Sequence, residues 1–148
     1  MSLLWSQDRA TLRRVFYVAW QHFRTQTPLK GIETLIVNAL IAHPEYQPLF
    51  EGPENDLIYA DSTEHNPFFH LGLHIALAEQ LSVDRPAGIQ HHFARISQQI
   101  GDAHHAEHLI IACLEEVLWE SQHNGTLPDE QAYLACLARL PSHFSHKK

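Results

Sequence analysis

Apolar residues return every third or fourth position along most of this chain, and no stretch alternates long enough to build a strand ladder. The pattern predicts helices divided by clear punctuation. The first carries Leu12, Val15, Phe16, Ala19, Trp20 and Phe23 on one stripe, with Ser6 as its capping side chain, and stops before Pro28. The second starts near Gly31, carries Ile32, Leu35, Ile36, Ala39 and Leu40, and ends near His43 because Pro44 follows. The third opens on Asn66-Pro67, a capping side chain followed by a residue whose missing N–H costs nothing at the first helical position. It runs to about Leu81 and is apolar at nearly every position from Phe68 to Ala78 apart from Gly72 and two histidines, so it is expected to be central.

Asp84, Pro86 and Gly88 mark the next turn. The fourth helix carries Ile89, Phe93, Ile96 and Ile100 and stops at Gly101, a good left-handed residue. Asp102 caps a long fifth helix through "LIIACLEEVLW" that ends at Asn124-Gly125, and Thr126 with Asp129 offers a capping box for a sixth carrying Tyr133, Leu134, Leu137 and Leu140. Residues 44–65, "PEYQPLFEGPENDLIYADSTEH", are the one long irregular segment, and such loops in compact domains tend to be functional or mobile. The expected architecture is a single all-α domain over residues 1–148, a bundle of about six helices whose short connections favour antiparallel neighbours.

Composition narrows the class without changing that picture. A chain of 148 residues with 45% hydrophobic and 18% charged content can bury a real core unaided. A formal net charge of −7 argues against nucleic acid and anionic membrane surfaces, both of which call for clustered Lys and Arg. "MSLLWSQDR" has neither the basic start nor the apolar length of a signal peptide, so a cytoplasmic location is expected. Cys113 and Cys136 then read most simply as buried thiols in a reducing compartment, with a disulfide between them the less favoured alternative. Trp5, Trp20, Trp119 and the Phe residues are core by default, Glu79 is expected to pair with an Arg of a neighbouring helix, and Glu115, Glu116 and Glu120 form a solvated face.

The outlier is histidine, at 13 residues. "NPFFHLGLH" places His70 and His74 four apart, one turn above each other on one helix face, and "DAHHAEH" repeats the spacing with His104 and His108. Both pairs lie in the first turns of their helices, where positive end potential keeps imidazole neutral, the form that binds a metal. With the third and fifth helices parallel, the two pairs meet at one end of the bundle, where the second helix also delivers His43, Glu45 and the acidic loop, with Asp56 as a further candidate. His70, His74, His104 and His108 are therefore the candidate ligands, with Glu45 or His43 completing the shell. Glu107 in "HHAEH" lies beside its two histidines as a general base or supporting group, the geometric part of an H-x-x-E-H pattern whose further acidic ligand is absent. Asn66, Tyr46 and Glu115 are candidate supporting residues. Hemerythrin-like and ferritin-like assignments fail, because their H-x-x-x-E and paired E-x-x-H motifs are missing.

"AHPEY", "NPFFHLGLHIALAEQ", "DRPAGI", "HHAEH", "CLEEVLWE" and "GTLPDEQAYLACL", in that order, resemble a small bacterial family catalogued as domain of unknown function 1841. The resemblance covers most of the chain and implies a short stand-alone protein with no assigned activity and no catalytic residues to carry over. Its best-matched stretches fall on Asn66, Pro67, Phe68, His70, His74, Glu107 and His108, with His104 at the i−4 place; His105 departs from the pattern.

Three functions follow from different classes. The first is a cytosolic protein holding zinc, iron or nickel, hydrolytic if one coordination position stays open and structural or storing if four His close it. The second is a metal-free interaction module, with "HPEYQPLF" recruiting a protein partner or a second copy and the histidines forming a pH-sensitive network. The third is a small-molecule-binding bundle lined by Phe68, Phe69 and Tyr46.

Overall fold

Prolines and glycines set the helix ends in the computed structural model, which describes residues 9–51 and 67–141. Ser6, Asp56, Asn66 and the "LIY" piece lie outside the described residues. The chain is all-α: α1 (Arg9–Arg24), α2 (Ile32–Ala42), a 3₁₀ helix (Pro44–Phe50), α3 (Pro67–Val83), α4 (Ile89–Ile100), α5 (Ala103–Asn124) and α6 (Glu130–Ala138). The 3₁₀ helix corrects the expectation that residues 44–65 are irregular from their start. Pro44 supplies its fixed φ at the first position, and the tighter i→i+3 ladder leaves room for Pro48. Gly101 and Gly125 end α4 and α5 in the left-handed region, as expected.

Contacts divide the chain into two compact units, Met1–Ala76 and Leu77–Lys148. In the first, Phe16, Trp20, Ile36, Leu40, Phe50, Phe68, Leu71 and Ile75 form a buried cluster. Phe16 meets Phe68 edge-on at 5.2 Å, and Phe68 meets Phe50 at 5.2 Å and 88°. This aromatic trio fixes the end of the 3₁₀ helix against the first turn of α3, the two segments that carry the candidate ligands. Each buried ring contributes several kcal/mol, about 3–5 on truncation to Ala.

In the second unit α4, α5 and α6 pack on one another. Ala106, Ile110, Cys113, Leu114 and Val117 form the buried stripe of α5, and Trp119 falls off it, 63% exposed and stacked on His123. That corrects the expectation of a core Trp119, and Phe23 is likewise exposed. Glu79 does not find its expected Arg: its Oε1 is buried without a hydrogen-bond partner. Glu115, Glu116 and Glu120 are exposed, as a solvated face requires.

The cysteines are the largest correction. Cys113 on α5 and Cys136 on α6 form a disulfide, their Cα atoms 5.8 Å apart. Both half-cystines lie on the buried faces through which α5 and α6 pack, so the stripes that suggested two separate thiols bring the sulfurs together.

Asp102 caps α5 by accepting from the backbone N–H groups of His104 and His105, at 2.9 and 3.2 Å. An Asp102→Ala variant is expected to lose about 1 kcal/mol in a urea melt. The cap of α6 is Asp129, accepting from Ala132 N–H at 3.1 Å, and not Thr126. Pro128 disfavours helical backbone at Leu127, which postpones the helix start past the proline. At the other end of α6, the Arg95 guanidinium donates to Leu137 and Leu140 carbonyls at 2.9 and 2.7 Å. Arg95→Met should strip both carbonyls of a charged donor and cost about 2 kcal/mol, read from the same melt.

Arg95 also donates to His92 Nδ1 at 3.2 Å, which requires that nitrogen to be unprotonated. Burial, then the charges of Arg95 and His91, hold the His92 pKa below its ordinary value. The folded value lies under the unfolded one, so this stability is present above about pH 6.5 and is lost as pH falls through the folded value. Between about pH 7.5 and about pH 5.5, His92→Gln should lose less stability than wild type. Equal losses would remove His92 from the pH response.

Candidate metal centre

The end of α2 builds the first half of the site. His43 follows the last helical residue, its backbone N–H donating to Leu40 O, and its ring Nδ1 lies 2.8 Å from Ala39 O. A carbonyl only accepts, so Nδ1 carries the proton and Nε2 presents a lone pair. Gln47 adds a second donor to the same Leu40 O, at 2.9 Å. One side chain thus satisfies the helix terminus and fixes its own tautomer.

The first two turns of α3 build the other half. His70 Nε2 lies 3.2 Å from His43 Nε2 and 3.1 Å from His74 Nε2. His43 and His74 are each 3% exposed, while His70 is half-buried. Their rings stand steeply to one another, 64–82° between planes, so nitrogens converge rather than faces.

Proton accounting decides what this arrangement wants. A neutral imidazole Nε2 is a donor or an acceptor in its plane, never both. His43 Nε2 needs a proton from His70, yet a bond between His70 and His74 through their Nε2 atoms needs one too. The His70 nitrogen faces both neighbours along its single in-plane direction. Neutral rings make one full hydrogen bond and leave the second contact either opposed or as a weak share of the same His70 proton. A cation accepting all the lone pairs removes the conflict. The spacing agrees: ligands about 2.0–2.1 Å from zinc stand about 3.3–3.4 Å apart at tetrahedral angles.

His43, His70 and His74, one ring atom from each within 4.8 Å of the others, make a group that could hold a metal ion, and His108 lies half-buried on α5. His104 stands outside that group, exposed on the first turn of α5 with its ring 4.4 Å from that of His108. Glu45 is exposed on the 3₁₀ helix, Glu107 is half-buried on α5, and Glu115 is exposed; none of the three joins the group. Tyr46 lies face to face with His43, centroids 5.7 Å apart, and edge-on to His70 at 6.0 Å. Burial, then the neighbouring Glu45 carboxylate, raises its phenol pKa, so its hydroxyl stays protonated beside the histidines. Sequence reasoning ranked His43 below His104. The available signal was its place before Pro44, which predicts a helix end where the ring folds back on the last turn.

The profile of the family described as domain of unknown function 1841 matches residues 8–139. The chain belongs to that family. No curated protein matches this family member, and no solved structure does. No described helix is long and apolar enough to cross a membrane.

Proposed function

We propose that this member of the family holds one transition-metal ion through His43, His70 and His74. The observation that carries the reading is that His70 Nε2 meets His43 Nε2 at 3.2 Å and His74 Nε2 at 3.1 Å, two contacts that neutral rings cannot both make as full hydrogen bonds. An all-imidazole donor set suits zinc, nickel, iron or copper over magnesium or calcium. Three imidazoles leave a fourth position for water, substrate or a further ligand. Bound there, the metal supplies a crosslink between the end of α2 and the start of α3. Ala39 O holds the His43 ring in its ligating tautomer, and Tyr46 covers that ring's face. In this reading Glu107 supports the histidines and does not act as a base.

Elemental analysis of untagged protein, purified without metal resin, tests the proposal. One equivalent of metal is expected, lost on His70→Ala and kept on His104→Ala. Protein that carries no metal and takes up none on titration, or full retention of metal by His70→Ala, overturns the reading.

A further inference from the structure

We propose that the outward face of α5 docks an arginine-bearing segment of a partner protein, with Trp119 as the anchor and the groove between α5 and α6 as the seat for an aliphatic side chain of the same segment. Glu115, Trp119 and His123 follow one another at i+4, on the side of α5 away from Ala106, Ile110, Leu114 and Val117. Trp119 is 63% exposed, and His123 stacks on its indole with centroids 4.8 Å and planes 8° apart. A lone exposed apolar residue is ordinary. An indole already held in one orientation beside a groove is suited to anchor an interface, because little of its freedom is left to lose on binding. The groove has a volume of about 260 Å³, and Val117 and Glu120 of α5 line it together with Ala132 and Ala135 of α6, with Glu116 and Arg139 beside them. Its small apolar walls fit one aliphatic side chain. Glu120 links the two parts, next to Trp119 in the chain and lining the groove.

Charge decides the occupant. The 22 residues of α5 include four glutamates and no Lys or Arg. Glu115 and Glu120 are exposed and make no ion pair among the described residues. A second copy of this face would set carboxylates against carboxylates, and an anionic lipid surface would be repelled in the same way. A guanidinium lies flat on an indole, as a cation over a π face, while its N–H groups reach a neighbouring carboxylate. A lysine ammonium brings the charge without the planar fit, so arginine is the residue that this face selects.

The test uses the untagged full-length protein and three labelled, capped, alanine-rich helical peptides that carry Leu and, one turn away, Arg, Lys or uncharged citrulline. Affinity is read from fluorescence anisotropy at about 0.1 M salt. The Arg peptide should bind about tenfold more tightly than the citrulline peptide and about threefold more tightly than the Lys peptide. Trp119→Ala should weaken the Arg peptide about 30-fold, and Trp119→Phe less. Glu120→Gln should weaken it about threefold, whereas Glu45→Gln, which removes the same charge from the other compact unit, should leave it unchanged. Replacing the peptide's Leu by Ala should weaken it about tenfold. Each of these protein side chains is exposed, so the variants should keep the wild-type urea midpoint. Equal weakening by Glu120→Gln and Glu45→Gln, with none by Trp119→Ala, is general attraction to an acidic protein and overturns the site. Equal affinity for the citrulline peptide overturns the cation, and indifference to the peptide's Leu overturns the groove. A dimer that forms without peptide and is lost on Trp119→Ala makes the occupant a second copy and overturns the assigned partner.

Discussion

Zinc added to the metal-free, untagged protein is expected to raise its melting temperature by about 10 °C once the free ion exceeds the dissociation constant a thousandfold. A ligand that binds only the native state contributes RT ln(1 + [L]/Kd), about 4 kcal/mol at that excess. For a chain of this length each kcal/mol moves the midpoint by roughly 2–4 °C. The effect is large because the free protein starts from a conflict: His43 and His74 are buried, and His70 meets both through one nitrogen. Native-state binding relieves that conflict, while the unfolded chain, with hydrated imidazoles, has none to relieve. His70→Ala should abolish the shift, and its half-buried position makes it the variant most compatible with folding. His104→Ala should leave the shift intact. A melting temperature that ignores zinc, nickel, copper and ferrous iron alike would remove the proposed metal.

How far the sequence carried this centre depends on the range of the interaction involved. His70 and His74 were legible because a helix turns i and i+4 onto one face, a local rule. Asp102, Gly101 and Gly125 were legible for the same reason, each acting on backbone within one turn. His43 was visible only as a residue before proline, because its meeting with His70 joins positions 27 apart and depends on the Phe16, Phe50 and Phe68 packing. The 3₁₀ helix was missed because two prolines and a three-residue period hide it from a search for 3.6-residue stripes. Trp119 was misread by size alone. The stripe through Ile110, Cys113, Leu114 and Val117 already excluded it from the buried face of α5. The disulfide needed the pairing of α5 with α6, and a compartment argument pointed away from it.

Reduction of Cys113–Cys136 should lower the melting temperature by roughly 10 °C while leaving the protein folded at 25 °C. The bond closes a loop with a sequence separation of 23. Removing that constraint from the unfolded chain costs about 3 kcal/mol on the chain-entropy estimate, and the midpoint moves by roughly 2–4 °C per kcal/mol. Three other contacts then hold α6 against its neighbours: the two Arg95 bonds to Leu137 and Leu140, and the 2.7 Å bond from the Tyr133 hydroxyl to Gln80. They are the reason reduction is expected to loosen the fold and not to dissolve it. Cys113→Ser with Cys136→Ser should reproduce the shift without reductant, which separates loss of the crosslink from side effects of the thiol. Arg95→Met in the reduced background should then unfold far more readily than either change alone predicts, since both act on the same nine-residue helix. Calorimetry of the oxidised, reduced and double-serine proteins measures all of this. Identical midpoints in the three would mean that the loop is already ordered in the unfolded chain, and that its buried face, Arg95 and Tyr133 hold α6 without help from the crosslink.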